Sequence, residues 1–131
     1  MPAKYDINKA EQVITISWEG EANNYEFIEA LKKYQSDIRG NSEYDDFNEL
    51  LDFCGVNGSK LTSKGLLHVA QMAAKTDRKE HPIKMAIVVN TIISHGFAKI
   101  YETYRRFNPR NKKIVRIFRS RNEALSWLKA R

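Results

Sequence analysis

Cysteine is almost missing. Cys54 is the single one, so no intrachain disulfide can form, and the chain suits a reducing compartment. Long apolar runs are missing too. The longest clean run is Met85-Ala86-Ile87-Val88-Val89, whereas a membrane-spanning helix needs about 20 residues. The start, MPAKYDINKA, is charged and has no apolar core of a secretory leader; the expected location is the cytoplasm. There is no internal repeat, low-complexity tract or linker. Catalytic signatures are also lacking: no nucleophile elbow, no phosphate loop, no paired-cysteine zinc spacing. The three histidines, His68, His81 and His95, do not fall at metal-ligand spacing. The expectation is a protein that is not an enzyme and needs no metal or cofactor.

What is present fits one globular domain over residues 1–131. A chain of this length buries roughly two thirds of its unfolded surface, enough for a core without staples. Hydrophobic residues make up 42% and charged residues 29%, a globular and not a disordered balance. The net charge of +6 is unevenly spread: residues 1–60 hold 6 basic and 12 acidic groups, residues 61–131 hold 16 and 4. Residues 105–131 carry ten basic groups and one acid, Glu123. Such a stretch can serve a nucleic acid, with Tyr101, Tyr104 and Phe107 nearby for stacking. No nucleic-acid motif accompanies it, and those aromatics lie at helical spacing. Mutual attraction of the two halves within one fold explains the charge more simply.

Periodicity alternates between strand and helix. Tyr5 and Ile7 mark a short strand, and residues 12–19 (QVITISWE) a second, with Ile14, Ile16 and Trp18 on one face. The short polar link between them predicts a hairpin. Asn23 and Asn24 are cap candidates, with Glu26 at capping-box spacing from Asn23; Phe27, Ile28, Leu31 and Tyr34 follow as a helical stripe. Residues 47–54 (FNELLDFC) are apolar at both parities, an interior strand. Phe47, Leu51 and Phe53 share one face, Leu50 and Cys54 the other. Gly55 to Lys60 read as the loop that ends it. Thr62 or Ser63 can cap a second helix with the stripe Leu66, Leu67, Ala70, Ala73, Ala74. Residues 83–89 form a buried strand. Ser94 can cap a third helix carrying Phe97, Ile100, Tyr101 and Tyr104, stopped at Pro109 with Arg105 and Arg106 at its basic end. Residues 114–118 make an edge strand, and Ser120-Arg121-Asn122-Glu123 a capping box for a final helix with Leu125 and Leu128 inward.

The order β-β-α-β-α-β-α-β-α predicts an α/β fold: a mostly parallel five-stranded sheet, an amino-terminal antiparallel hairpin and four helices. Helices on one face leave the other to be covered. The candidates are residues 36–44, the final helix with Trp127, or a second copy of the chain, and from this a homodimer is expected.

The strings LLDFCG, LTSKGLLHVA and VRIFRSRNEALSWLKA, in this element order, resemble small bacterial STAS-like proteins of the SpoIIAA-like kind, whose β-α superhelix agrees with the order above. The resemblance implies a regulatory, non-enzymatic domain that binds a protein partner, and the helix amino termini along the loop rim, which favour anions, add a small anionic ligand as an expectation. Regulatory STAS proteins carry a phosphorylatable serine directly before a Gly-Leu pair at the start of the second helix. Here Lys64 precedes Gly65-Leu66 and Ser63 lies one residue earlier, which makes Ser63 a displaced phosphorylation candidate. Some related proteins are grouped with CRAL-TRIO lipid-binding domains, which implies an alternative, a lipid or apolar ligand held between helices and sheet. Nucleic-acid binding ranks third.

Topology supplies the site expectation. Ligands of open α/β sheets bind beyond the carboxyl ends of parallel strands. That rim carries Asn57, Ser59, Lys60, Thr62, Ser63 and Lys64 after one strand and Asn90, Thr91, Ser94 and His95 after the next. These are the expected ligand- or partner-binding residues. Two further groups are candidates for chemistry: Cys54, as a thiolate beside His95, and Asp52, as an inward carboxylate. A buried small thiol and a carboxylate bonded to loop backbone are the simpler readings.

Overall fold

The computed structural model describes residues 3–59, 62–75, 82–106 and 113–130. Among them run β1 (Ala3–Asn8), β2 (Val13–Ala22), α1 (Asn24–Tyr34), β3 (Asn48–Ser59), α2 (Ser63–Ala74), β4 (Lys84–Val88), α3 (Ile92–Arg106), β5 (Ile114–Phe118) and α4 (Arg121–Lys129). The sheet order is β1-β2-β3-β4-β5. The β1–β2 pair is antiparallel and every other pair parallel. Leu51 sits opposite Ile16 on one side and Ile87 on the other, so β3 is the interior strand its two apolar faces require.

Period-two alternation sorts the side chains to two layers. Ile14, Ile16, Trp18, Phe47, Leu51, Phe53, Met85 and Ile87 face α1, α2 and α3, where Ala30, Tyr34, Val69, Ala70, Ala98 and Tyr101 meet them. Val13, Leu50, Ala86 and Val88 face the other way and pack on Ala124 and Leu128 of α4. The final helix thus covers the second face, the second of the three expected coverings. Asn48 fixes it: Nδ2 donates to Leu128 O at 3.0 Å while Oδ1 accepts from Lys84 N at 2.9 Å. Lys84 Nζ donates to Trp127 O at 3.0 Å. A second copy of the chain is no longer needed to bury an apolar sheet face.

Two local readings are corrected. Gly55 to Ser59 are not a loop: β3 continues through them, with Val56 opposite Gly20 and Ser59 opposite Ala22. The long β2 offers them a pairing edge, and register shifts in β2 around Trp18 and Glu21 absorb the irregular ladder. Gly55 suits the close approach there, because a Cβ would stand 3.0 Å from Glu19 Cγ and 3.1 Å from Trp18 O. The third helix starts at Ile92, and Thr91 is its cap. Thr91 Oγ1 accepts from Ser94 N at 3.0 Å, and Ser94 Oγ accepts from Thr91 N at 3.2 Å; this reciprocal pair makes Ser94 the third helical residue and not the cap. Beyond α1 the chain keeps two further short turns. A π-helical turn, Gln35–Arg39, and a 3₁₀ turn, Ser42–Tyr44, lead into β3, and the π turn carries Arg39 inward to 8% exposure.

Candidate functional site

The expected rim exists, and its polar side chains mostly hold helix ends. Asn23 Oδ1 accepts from Glu26 N at 2.8 Å, Thr62 Oγ1 from Gly65 N at 3.0 Å, and Ser120 Oγ from Glu123 N at 3.3 Å. The starts of α1 and α2 are tied to each other: Asn24 Oδ1 accepts from Thr62 N at 3.2 Å and Asn24 Nδ2 donates to Thr62 Oγ1 at 3.1 Å. Gly65 makes room for this, since a Cβ there would lie 2.2 Å from Asn24 Cγ. Ser63 and Lys64 are exposed in the first turn of α2. Asn90 Nδ2 donates to Cys54 O at 3.1 Å, joining the segment after β4 to the middle of β3. His95 is half-buried in α3. Asn57 and Ser59 lie in β3 with side chains outside the described set; Lys60 and His81 lie outside the described residues.

The two chemical candidates resolve into structure. Asp52 Oδ1 accepts from Cys54 N at 2.8 Å, and its Oδ2 pairs with Arg121 Nη1 at 2.9 Å, so it ties β3 to α4. Burial, aided by the Asp52 carboxylate, pushes the Cys54 thiol up to about 11. Near neutral pH it is a thiol, which removes the thiolate reading. Part of the basic stretch is similarly engaged. Arg105 is 1% exposed and donates through Nη1 to Ala70 O at 3.3 Å, which locks α3 to α2. Arg106 pairs with Glu102 at 3.4 Å. Arg116 lies over the Phe118 and Trp127 rings at 5.5 and 5.4 Å. These three groups make contacts within the fold; Arg110, Lys112 and Arg131 of the stretch lie outside the described residues. Phe107 lies outside the described residues.

The concentrated chemistry is at the opposite end of the strands. Glu49, the second residue of β3, faces the α1–α3 layer and is 1% exposed. Tyr34 Oη donates to its Oε2. Arg39 Nε stands 3.5 Å from Oε2 and also donates to Tyr34 Oη at 3.3 Å; Arg39 Nη2 donates to Phe47 O at 3.3 Å. Lys113, just before β5, places Nζ 2.6 Å from Oε1. Burial alone would raise the Glu49 carboxyl, but the Lys113 and Arg39 charges, with hydrogen bonds from Lys113 and Tyr34, outweigh it and lower it to about 2. Burial first, and the Glu49 charge second, hold the Tyr34 phenol well above its ordinary range.

This cluster closes one end of an apolar cavity between the sheet and α1, α2 and α3. Its volume is about 80 Å³, against the ~10–15 Å³ on the same measure that one water needs. Seven aromatic side chains contribute to its lining: Tyr5, Trp18, Phe27, Tyr34, Phe53, Phe97 and Tyr101. At the other end, Trp18 stacks on Phe27 with ring centroids 4.5 Å apart and 22° between planes, and Phe27 meets Phe53 edge-on at 5.4 Å. Trp18 is 2% exposed, and its indole Nε1 has no acceptor among the described residues. Sequence reasoning passed over Glu49, Arg39 and Lys113. The signal for Glu49 was present: it falls between Phe47 and Leu51 at the parity that faces the core. Nothing local marks Lys113.

The sheet, the helix arrangement and the covering final helix define a SpoIIAA-like α/β fold. It is shared with a solved structure, an uncharacterised protein of the DUF3478 family from Shewanella loihica PV-4, at a TM-score of 0.58 and 15% identity, over 96% of this chain and 91% of that one. No family model and no curated protein matches the sequence. Among the described residues, no helix is long and apolar enough to cross a membrane and no group of His, Cys, Asp and Glu could hold a metal ion.

Proposed function

We propose that this protein is a non-catalytic binding module whose ligand is a small, largely apolar molecule held between the sheet and α1–α3. The carrying observation is the cavity. Interiors pack to crystal density, and this one keeps about 80 Å³ open beside Ala30, Val69 and Ala73. Open apolar space with a few convergent polar groups is the usual form of a ligand pocket. The Tyr34–Arg39–Glu49–Lys113 cluster supports binding more than catalysis: Glu49 titrates far below neutral pH and Tyr34 far above, so neither is poised as a general acid or base. Native mass spectrometry of protein purified without detergent tests the reading. A bound apolar mass is expected, and Ala73→Leu, which fills the cavity, should lose it. Bare spectra from several growth conditions, together with no uptake of added apolar compounds, overturn it.

A second reading, the regulatory one, draws on a separate observation. Tyr25 and Ile92, in the first turns of α1 and α3, are 71% and 86% exposed, and Ser63 and Lys64, in the first turn of α2, are exposed too. Large apolar groups at this rim suit a protein partner. That partner should be lost in a Tyr25→Asp, Ile92→Asp double variant and kept when the cavity is filled. Sedimentation at rising concentration decides whether it is a second copy of the chain.

A further inference from the structure

We propose that the open edge of β5 is a docking site for an extended acidic peptide of a partner protein, which adds to the sheet as a further strand. The argument starts from the backbone. Among the described residues β5 has one strand neighbour, β4. Ile114 N donates to Ile83 O at 3.0 Å, and Phe118 O accepts from Val89 N at 2.9 Å. Residues of this parity turn their peptide groups toward β4, so Val115 and Ile117 turn theirs to the open side. Proteins guard such edges with proline, charge or a covering element. The other edge, β1, is guarded in this way: Lys4, Asp6 and Asn8 are exposed along it. By contrast, β5 reads IVRIF. Its one charge, Arg116, folds back over the Phe118 and Trp127 rings and not across the edge, and Ile114 is 55% exposed.

The occupant follows from side chains and charge. An open groove of about 350 Å³ lies beside the strand, between Glu102 and Arg106 of α3 and the run Lys113, Ile114, Val115 and Arg116. Its acid, Glu102, already holds Lys99 at 3.1 Å and Arg106 at 3.4 Å, and Lys113 is committed to Glu49. Arg116 and, just past the strand, Arg119 are exposed and have no carboxylate partner among the described residues. Ile114 and Arg116 share a face, so an added strand meets them with an apolar and an acidic side chain at alternate positions. A second copy of the chain is a poor occupant. Two β5 strands paired antiparallel about Arg116 would set Arg116 against Arg116 and Lys113 against Arg119, like charge opposite like. Strand addition draws affinity from main-chain hydrogen bonds and choice from alternate side chains; here the choice is for apolar next to acid.

Two synthetic peptides test this: acetyl-TVTETVTE-amide, and the same chain with lysine in place of both glutamates. In nitrogen-15 NMR, the acidic peptide should move the Val115 and Ile117 amide resonances and slow their hydrogen exchange, because these amides gain acceptors. The lysine peptide should bind about fivefold more weakly, and in Arg116→Glu that order should reverse. Val115→Pro removes a donor that β4 does not use, so the fold should persist while peptide binding is lost. An unmoved β5 at millimolar acidic peptide overturns the proposal, as does equal affinity for the two peptides. Movement confined to the rim around Tyr25 and Ile92 overturns it in favour of that surface. Slow exchange at Val115 without peptide, deepening with protein concentration, overturns it in favour of a second copy.

Discussion

The two faces of the sheet are built on different principles. Under α4, small and medium aliphatic groups close completely at the centre: Leu50, Ala86 and Ala124 have no exposure, and the charges on that side, Lys84 and Arg116, lie against the Phe118 and Trp127 rings at its edge. Under α1–α3, large aromatics leave a space that they do not fill, and a buried carboxylate with two cations stands at its end. One face is filled to hold the fold, and the other keeps room and charge at a cost. On the proposed function, stability and binding are separable by face, and substitutions on each should behave differently.

The largest difference is expected at Glu49. Glu49→Ala leaves Arg39 and Lys113 buried against an apolar wall and should cost about 3–5 kcal/mol in urea unfolding at pH 7. A loss under 1 kcal/mol would mean that the cluster is solvated. The same carboxylate sets an acid limit. Its value in the fold, about 2, lies below the ordinary carboxylate range. Its contribution is thus complete above about pH 4.5, declines as pH falls toward 2, and is absent below. The amount lost is on the order of 3 kcal/mol. Comparing the pH dependence of unfolding in the wild type and Glu49→Gln checks it: the variant should lack most of the slope between those limits.

One substitution made on both faces isolates packing. Ala86→Leu forces a larger group under α4, where there is no space, and should cost about 1–3 kcal/mol. Ala73→Leu puts the same methylenes into the cavity and should be neutral or stabilise by about 1 kcal/mol. Equal costs at the two positions would show that the helix layer is as tightly packed as the α4 side.

Much of this contrast could be read from residue order. Alternation in FNELLDFC assigned Phe47, Leu51 and Phe53 to one layer and Leu50 and Cys54 to the other, and both layers hold them. Capping patterns placed α1, α2 and α4 because such signals are local: a side chain three residues from its amide. The failures share a cause. Gly55 to Ser59 look like a turn in isolation and become strand only because β2 extends beside them. Arg105 looks like a solvated helix end and is buried only because α2 lies against it. The cluster gathers one residue each from α1, a π turn, β3 and the segment before β5. Its members are 15 residues apart for Tyr34 and Glu49, and far more for Lys113. No window of sequence contains it. The cavity is less legible still, since empty space is a property of packing and leaves no letter behind.

The smallest effect concerns the rim, where local signals were most reliable. Thr62 caps α2 through Gly65 N and also meets Asn24 at the start of α1. Thr62→Ala removes both hydrogen bonds. The cap alone is worth about 1 kcal/mol, and the Asn24 contact, exposed to solvent, adds little. Thermal unfolding should therefore show a modest drop, and ligand uptake by the cavity should be unchanged, because Thr62 is outside its lining. A loss of uptake in Thr62→Ala would mean that the α1–α2 clasp controls how the helix layer opens over the cavity. The two ends of the strands, separate on the geometry, would then act as one device.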